Sequence, residues 1–118
     1  MKKIYHLSTC STNKRILKEI SPIDEFEMQE IKEFPISGEQ LDVMRDLSGS
    51  YESLFSKRAR KYKEMGLKDK KLSEDDYRSY ILSDYTFLNR PVAIIDDKIF
   101  VGNSKKNVEA LKKEILGV

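Results

Sequence analysis

The chain has 118 residues, enough for one domain and too few for two, and 39% of them are apolar. Its longest aliphatic run, Val92 to Ile95, is far short of a membrane span, and no apolar stretch of about 7–15 residues follows the basic start Met1-Lys2-Lys3 to make a signal peptide, so a cytoplasmic protein with no membrane contact is expected. The 22 basic and 20 acidic side chains leave a net charge of only +2, which argues against direct nucleic-acid binding, and the single cysteine and single histidine argue against both a disulfide scaffold and a metal site.

Taken in chain order, Lys2 to Ser8 predicts a first strand, because Ile4, Tyr5 and Leu7 favour pleated structure and a Ser/Thr cluster bounds them. Ile16, Leu17 and Ile20 then repeat at helical spacing, so a helix is expected to begin near Cys10 and to stop before Pro22. Phe26, Met28 and Glu30 alternate as a second strand, and a strand, helix and strand of this length imply a right-handed parallel crossover. Ser37 and Gln40 have capping-box spacing ahead of the stripe Leu41, Met44 and Leu47, which Gly49 ends. Tyr51, Leu54 and Phe55 predict another short helix. Ser73-Glu74-Asp75-Asp76 caps a further one carrying Tyr77, Tyr80 and Ile81. Pro91 to Ile95 is a buried strand, Asp96-Asp97 turns the chain, and Lys98 to Val101 returns as its hairpin partner. Ser104 caps a last helix whose stripe is Val108, Leu111 and Ile115. The expected architecture is α/β: a β-α-β start, a helical insertion over about residues 37–85, then a hairpin and a closing helix, in one domain over residues 1–118.

Charge is less even locally than overall. Lys57, Arg58, Arg60, Lys61, Lys63, Lys68, Lys70 and Lys71 face only Glu64 and Asp69 in the same stretch. Such a segment is either a solvated helical surface or a docking face for an acidic partner, since clustered charge steers association.

The chemistry concentrates at Cys10. A cysteine between a strand and a helix start lies where unpaired first-turn N–H groups carry partial positive charge, and these favour a thiolate over a thiol. The same N–H groups, from Ser11, Thr12 and Asn13 onward, can hold an oxyanion beside the sulfur. Lys14 and Arg15 add positive charge in the first turns. His6, four residues upstream, either packs at the strand end or tunes the thiolate. Most lone cysteines are small inert hydrophobes; the strand-to-helix position favours the reactive alternative here.

The segment Tyr5-His6-Leu7-Ser8-Thr9-Cys10-Ser11-Thr12-Asn13-Lys14 resembles the His-x-x-x-Cys pattern, with a basic residue four places later, of the arsenate reductase–like (ArsC/Spx) family. Tyr62 to Leu67 and Leu72 to Asp76 are similar to its helical insertion, Leu88-Asn89-Arg90-Pro91-Val92-Ala93-Ile94 to its Arg-Pro segment, and Lys98 to Ser104 to its hairpin return. The resemblance implies a thioredoxin-like (glutaredoxin-like) fold, with a four-stranded mixed sheet, flanking helices and an enlarged helical insertion. It implies a cis Arg90–Pro91 bond facing Cys10, and an Arg90 that reaches the anion or mixed disulfide held there.

The same resemblance brings out three departures. Asn13 stands where Spx and dithiol enzymes carry a second cysteine. Of the three arginines that family arsenate reductases place around the oxyanion, only Arg90 has a match: Ser56 stands at the second position, and Gly102-Asn103 at the third. Lys14 replaces the arginine that usually follows the cysteine. The expected activity is that of a thiol-dependent reductase working through Cys10, with no bound cofactor and with glutathione, glutaredoxin or thioredoxin as co-substrate or partner. The alternative is an Spx-like regulatory protein that binds RNA polymerase through the basic stretch.

Overall fold

The computed structural model describes residues 1–117. The chain runs through β1 (Lys2–His6), α1 (Ser11–Glu19), β2 (Glu27–Glu30), α2 (Gly38–Ser48), α3 (Arg60–Glu64), α4 (Glu74–Ser83), β3 (Val92–Ile95), β4 (Lys98–Val101) and α5 (Lys105–Leu116), with single 3-10 turns at Glu52–Leu54, Leu67–Asp69 and Tyr85–Phe87. It divides into two compact units. One is Met1–Phe34 together with the described residues from Arg90 onward; the other is Pro35–Asn89.

The first unit holds a four-stranded mixed sheet in the order β2-β1-β3-β4. β1 lies parallel to β2, with Ile4 opposite Met28 and His6 opposite Glu30, and antiparallel to β3, with Tyr5 opposite Val92. β3 and β4 form the hairpin, closed by Asp96 at φ 55°, a conformation that Asp tolerates better than most residues. Ile4 and Ala93 from the sheet, Ile16 from α1 and Ile20 at its C-terminal cap, and Val108 and Leu111 from α5 form the core that seats both helices. Val92, Ala93 and Ile94 are all fully buried, so β3 hides both of its faces, as its unbroken apolar run predicts. Fully burying a valine or isoleucine side chain contributes about 1.5–3 kcal/mol.

The second unit is built from caps and aromatic rings. Ser37 and Ser73 each accept from the N–H three residues on, and Gln40 and Asp76 reach back to the cap N–H, so the capping box expected at Ser37 forms and the cap expected at Ser73 is part of a second one. Replacing such a cap costs about 1 kcal/mol. Gly49 ends α2 in the left-handed conformation at φ 100°, which glycine adopts without a Cβ penalty. Phe55 is ringed by Tyr62, Tyr77, Tyr80 and Phe87 at centroid distances of 5.8, 4.9, 6.5 and 5.2 Å.

Three local expectations are corrected. Met28 is exposed rather than inward, because β2 is an edge strand whose apolar neighbour into the core is Phe26, just before it. The segment around Leu54 is a 3-10 turn rather than a helix. The basic stretch forms no continuous helical face: α3 is only five residues long, and Gly66 at φ 63° separates it from the next 3-10 turn. A second cis bond, Ser21–Pro22, accompanies the cis Arg90–Pro91 bond. Among the described residues, no helix is long and apolar enough to cross a membrane.

Candidate active site

The strand-to-helix passage is held by short-range hydrogen bonds. After β1 the chain turns so that the Cys10 N–H donates to the Leu7 carbonyl at 3.1 Å, and the Lys14 N–H donates to the Cys10 carbonyl at 3.1 Å, which starts α1. Cys10 is therefore the N-cap residue, with extended backbone at φ −92° and ψ 116°. Its own side chain caps nothing. The thiol is half-buried and free of any disulfide. The first-turn N–H groups that follow have no intrahelical partners, which is the field the sequence predicts around the sulfur.

Asn13, one turn into α1, is only 1% exposed and is the one buried polar residue among those described. Its Oδ1 accepts from the Leu7 N–H at 3.0 Å, and its Nδ2 donates to the Cys10 Sγ at 3.6 Å. Ser11, Lys14 and Arg15 are exposed on the outer side of the same turns, and Thr12 is half-buried.

His6 ends β1, half-buried, and its Nδ1 is buried without a hydrogen-bond partner among the described residues. Burial pushes its pKa below the usual 6.5, while the neighbouring Glu30 pulls the other way. Glu30 is the residue that sequence reasoning missed. Its Oε1 accepts from the Ser8 N–H at 3.2 Å and its Oε2 from the Glu33 N–H at 2.7 Å, so it braces the loop that leads to Cys10. Burial works against its charge, but the N–H groups of Glu33, Ser8 and Lys32 hold its carboxyl below the usual range. Only the β1–β2 register shows this, because nothing local links residues 8 and 30.

Arg90 and Pro91 precede β3, which runs antiparallel to β1, so they lie at the same end of the sheet as His6 and the Cys10 loop. Pro91 is buried and its carbonyl accepts from the Gly102 N–H at 2.9 Å, which brings the Gly102-Asn103 turn to that end as well. Arg90 is half-buried with its Nε inside. Ser56 belongs to the second unit, where its N–H donates to the Phe87 carbonyl at 2.7 Å. Among the described residues, no group of three or more His, Cys, Asp or Glu side chains could hold a metal ion.

The sequence pattern of the ArsC family matches residues 5–111, which spans both His6-Cys10 and Arg90-Pro91. The chain belongs to the ArsC family. It is 28% identical over 93 residues to the arsenate reductase of Escherichia coli; the match covers 77% of this chain and 66% of that protein, just under two thirds of its length. Among solved structures, an ArsC family related protein from Bacteroides fragilis superposes with a TM-score of 0.78 at 21% identity, over 93% of this chain and 96% of its own. An arsenate reductase from Vibrio cholerae gives a TM-score of 0.72 at 21% identity, over 99% and 96%. These likenesses establish the ArsC fold: a thioredoxin-like α/β sheet with flanking helices.

Proposed function

We propose that this ArsC family member is a thiol-dependent reductase that works through Cys10 alone. The observation that carries the reading is the placement of its sole cysteine at the N-cap of α1, half-exposed, with a fixed amide donor on its sulfur. The Cys10 thiolate attacks one sulfur of a disulfide substrate. A Cys10–substrate disulfide forms, the substrate S–S bond breaks, and the other sulfur leaves as a thiolate that takes a proton from water. An external thiolate then attacks the Cys10 sulfur of the mixed disulfide, forming a disulfide between Cys10 and the external thiol and freeing the remaining substrate sulfur as a thiolate. A second external thiolate attacks the external sulfur of that bond, which restores the Cys10 thiolate and leaves the two external sulfurs joined, so two electrons pass from the external pair to the substrate.

Glutathione, or a small redox protein such as glutaredoxin or thioredoxin, supplies those thiols, because no second cysteine exists in the chain. In this reading Ser11, Thr12 and Asn13 offer main-chain N–H groups to the developing negative charge. Lys14 and Arg90 add positive charge, and Pro91 shapes the docking edge for the bound thiol. His6 tunes the sulfur from the strand end.

The test is incubation with oxidised glutathione followed by intact-mass measurement. One glutathione adduct mapping to Cys10, removed by excess glutathione, is the expected result. Cys10→Ser should take up no adduct and reduce no glutathione mixed disulfide. Wild-type protein that forms no adduct, or a Cys10→Ser variant that turns over normally, overturns the proposal.

A further inference from the structure

We infer that Asn13 is a positioning residue for Cys10, its carboxamide being locked in the one orientation that points an N–H at the sulfur. The inference deepens the reading of Cys10 given above and rests on it for its place in a reaction.

Asn13 is the only buried polar residue among those described, and a buried amide is costly unless its donors and acceptor are used. The Leu7 main-chain N–H can only donate, so the atom facing it at 3.0 Å must be the carbonyl oxygen of Asn13. The NH2 group is thereby turned to the other side, where the Cys10 sulfur accepts at 3.6 Å. A side-chain amide is normally free to flip. Here a main-chain donor outside the helix settles the matter.

Two consequences follow. The donor strengthens its bond as the sulfur becomes negative, so it favours the thiolate both as nucleophile and as the group that leaves when the mixed disulfide is resolved. The bond from Leu7 also ties the end of β1 to α1 and, with the Cys10 N–H on the Leu7 carbonyl, fixes the loop between them before any substrate arrives. A cysteine at this position would supply an internal resolving thiol. Asparagine supplies a donor that neither titrates nor oxidises, and it leaves resolution to an external thiol.

The experiment compares the pH dependence of iodoacetamide alkylation in wild type, Asn13→Asp and Asn13→Ala. Asn13→Asp retains the acceptor for Leu7 but puts an acidic oxygen where the donor was. The other charged or titratable groups at this end of the sheet stay unchanged: His6 on β1, Glu30 on β2, Lys14 and Arg15 on α1, and Arg90 before β3. The pH of half-maximal alkylation should rise by about one to three units in Asn13→Asp, as expected for a like charge beside the sulfur. In Asn13→Ala it should rise by less. In wild type, the two side-chain amide protons of Asn13, followed by NMR, should shift with the same midpoint as alkylation.

Unchanged alkylation profiles in folded variants overturn the inference. If neither variant folds, Asn13 amide resonances that ignore the alkylation midpoint overturn it instead. These readouts need no turnover. A displaced profile in a protein that reduces nothing would sink the reductase reading and leave the Asn13–Cys10 coupling intact.

Discussion

The Leu7 N–H and the Asn13 Oδ1 lie 3.0 Å apart, so the end of the first strand is tied to the buried side of the first helix, and the Asn13 amide reaches the Cys10 sulfur from the same anchor. A side chain at residue 13 therefore points at Cys10 by construction. Asn13→Cys should place a second sulfur within bonding range and give an intramolecular disulfide under mild oxidation. The check is loss of both free thiols in dilute protein with no change in oligomer mass. Exclusively intermolecular disulfides would contradict the geometry.

His6 is the only histidine, so its ring protons can be followed without assignment. Burial disfavours its charged form, and its NMR titration midpoint should fall below 6.5. Glu30 opposes that shift, so Glu30→Gln should lower the midpoint further. Because the folded midpoint lies below the unfolded one, the unfolded chain binds the extra proton in between. This group's contribution to stability is present above about pH 6.5 and is lost as pH falls through the folded value.

In the second unit, Asp84 accepts from the Thr86 N–H at 2.8 Å, from the Thr86 hydroxyl at 2.6 Å and from Lys61 at 2.5 Å. Burial alone would push its carboxyl up, but these donors hold it down at about 2 against an ordinary 3.8. The sign is that of a depressed acid: its contribution is complete above about pH 4 and disappears as pH falls through 2. Asp84→Asn should destabilise the protein by about 1 kcal/mol at pH 7 in urea unfolding, since Lys61 is half in solvent and screened. The difference from wild type should shrink steadily toward pH 2.

Arsenate should be a poor substrate even with glutathione and a glutaredoxin. Planar arginines suit an oxyanion adduct because each grips it through two hydrogen bonds, and losing one donor from a preorganised anion site costs about 10²–10³ in rate. Of the three expected arginines the chain carries only Arg90, which precedes the Pro91 carbonyl bonded to the Gly102 N–H. Steady-state arsenate reduction is expected near the Cys10→Ser blank, while a glutathione mixed disulfide is reduced. Strong Cys10-dependent arsenate turnover that collapses in Arg58→Ala or Arg60→Ala would overturn this expectation.

What the sequence by itself determined is whatever rests on neighbours a few residues apart. The capping box at Ser37, the cap at Ser73, the stop at Gly49, the buried run Val92 to Ile94 and the helix beginning at Cys10 are all set by local hydrogen bonding and by the period of apolar residues. The His-x-x-x-Cys and Arg-Pro segments were legible for the same reason. Tertiary structure alone decided what depends on pairing across the chain. The β1–β2 register put Glu30 under the Ser8 N–H and beside His6, the edge position of β2 left Met28 in solvent, and β1 running against β3 brought Arg90 to the end of the sheet where Cys10 lies. Asn13 belongs to both. Its spacing from Cys10 is written in the sequence, but its orientation is not, because the direction of an amide is set by the partner it meets, and that partner, the Leu7 N–H, is presented only once strand and helix have folded against each other.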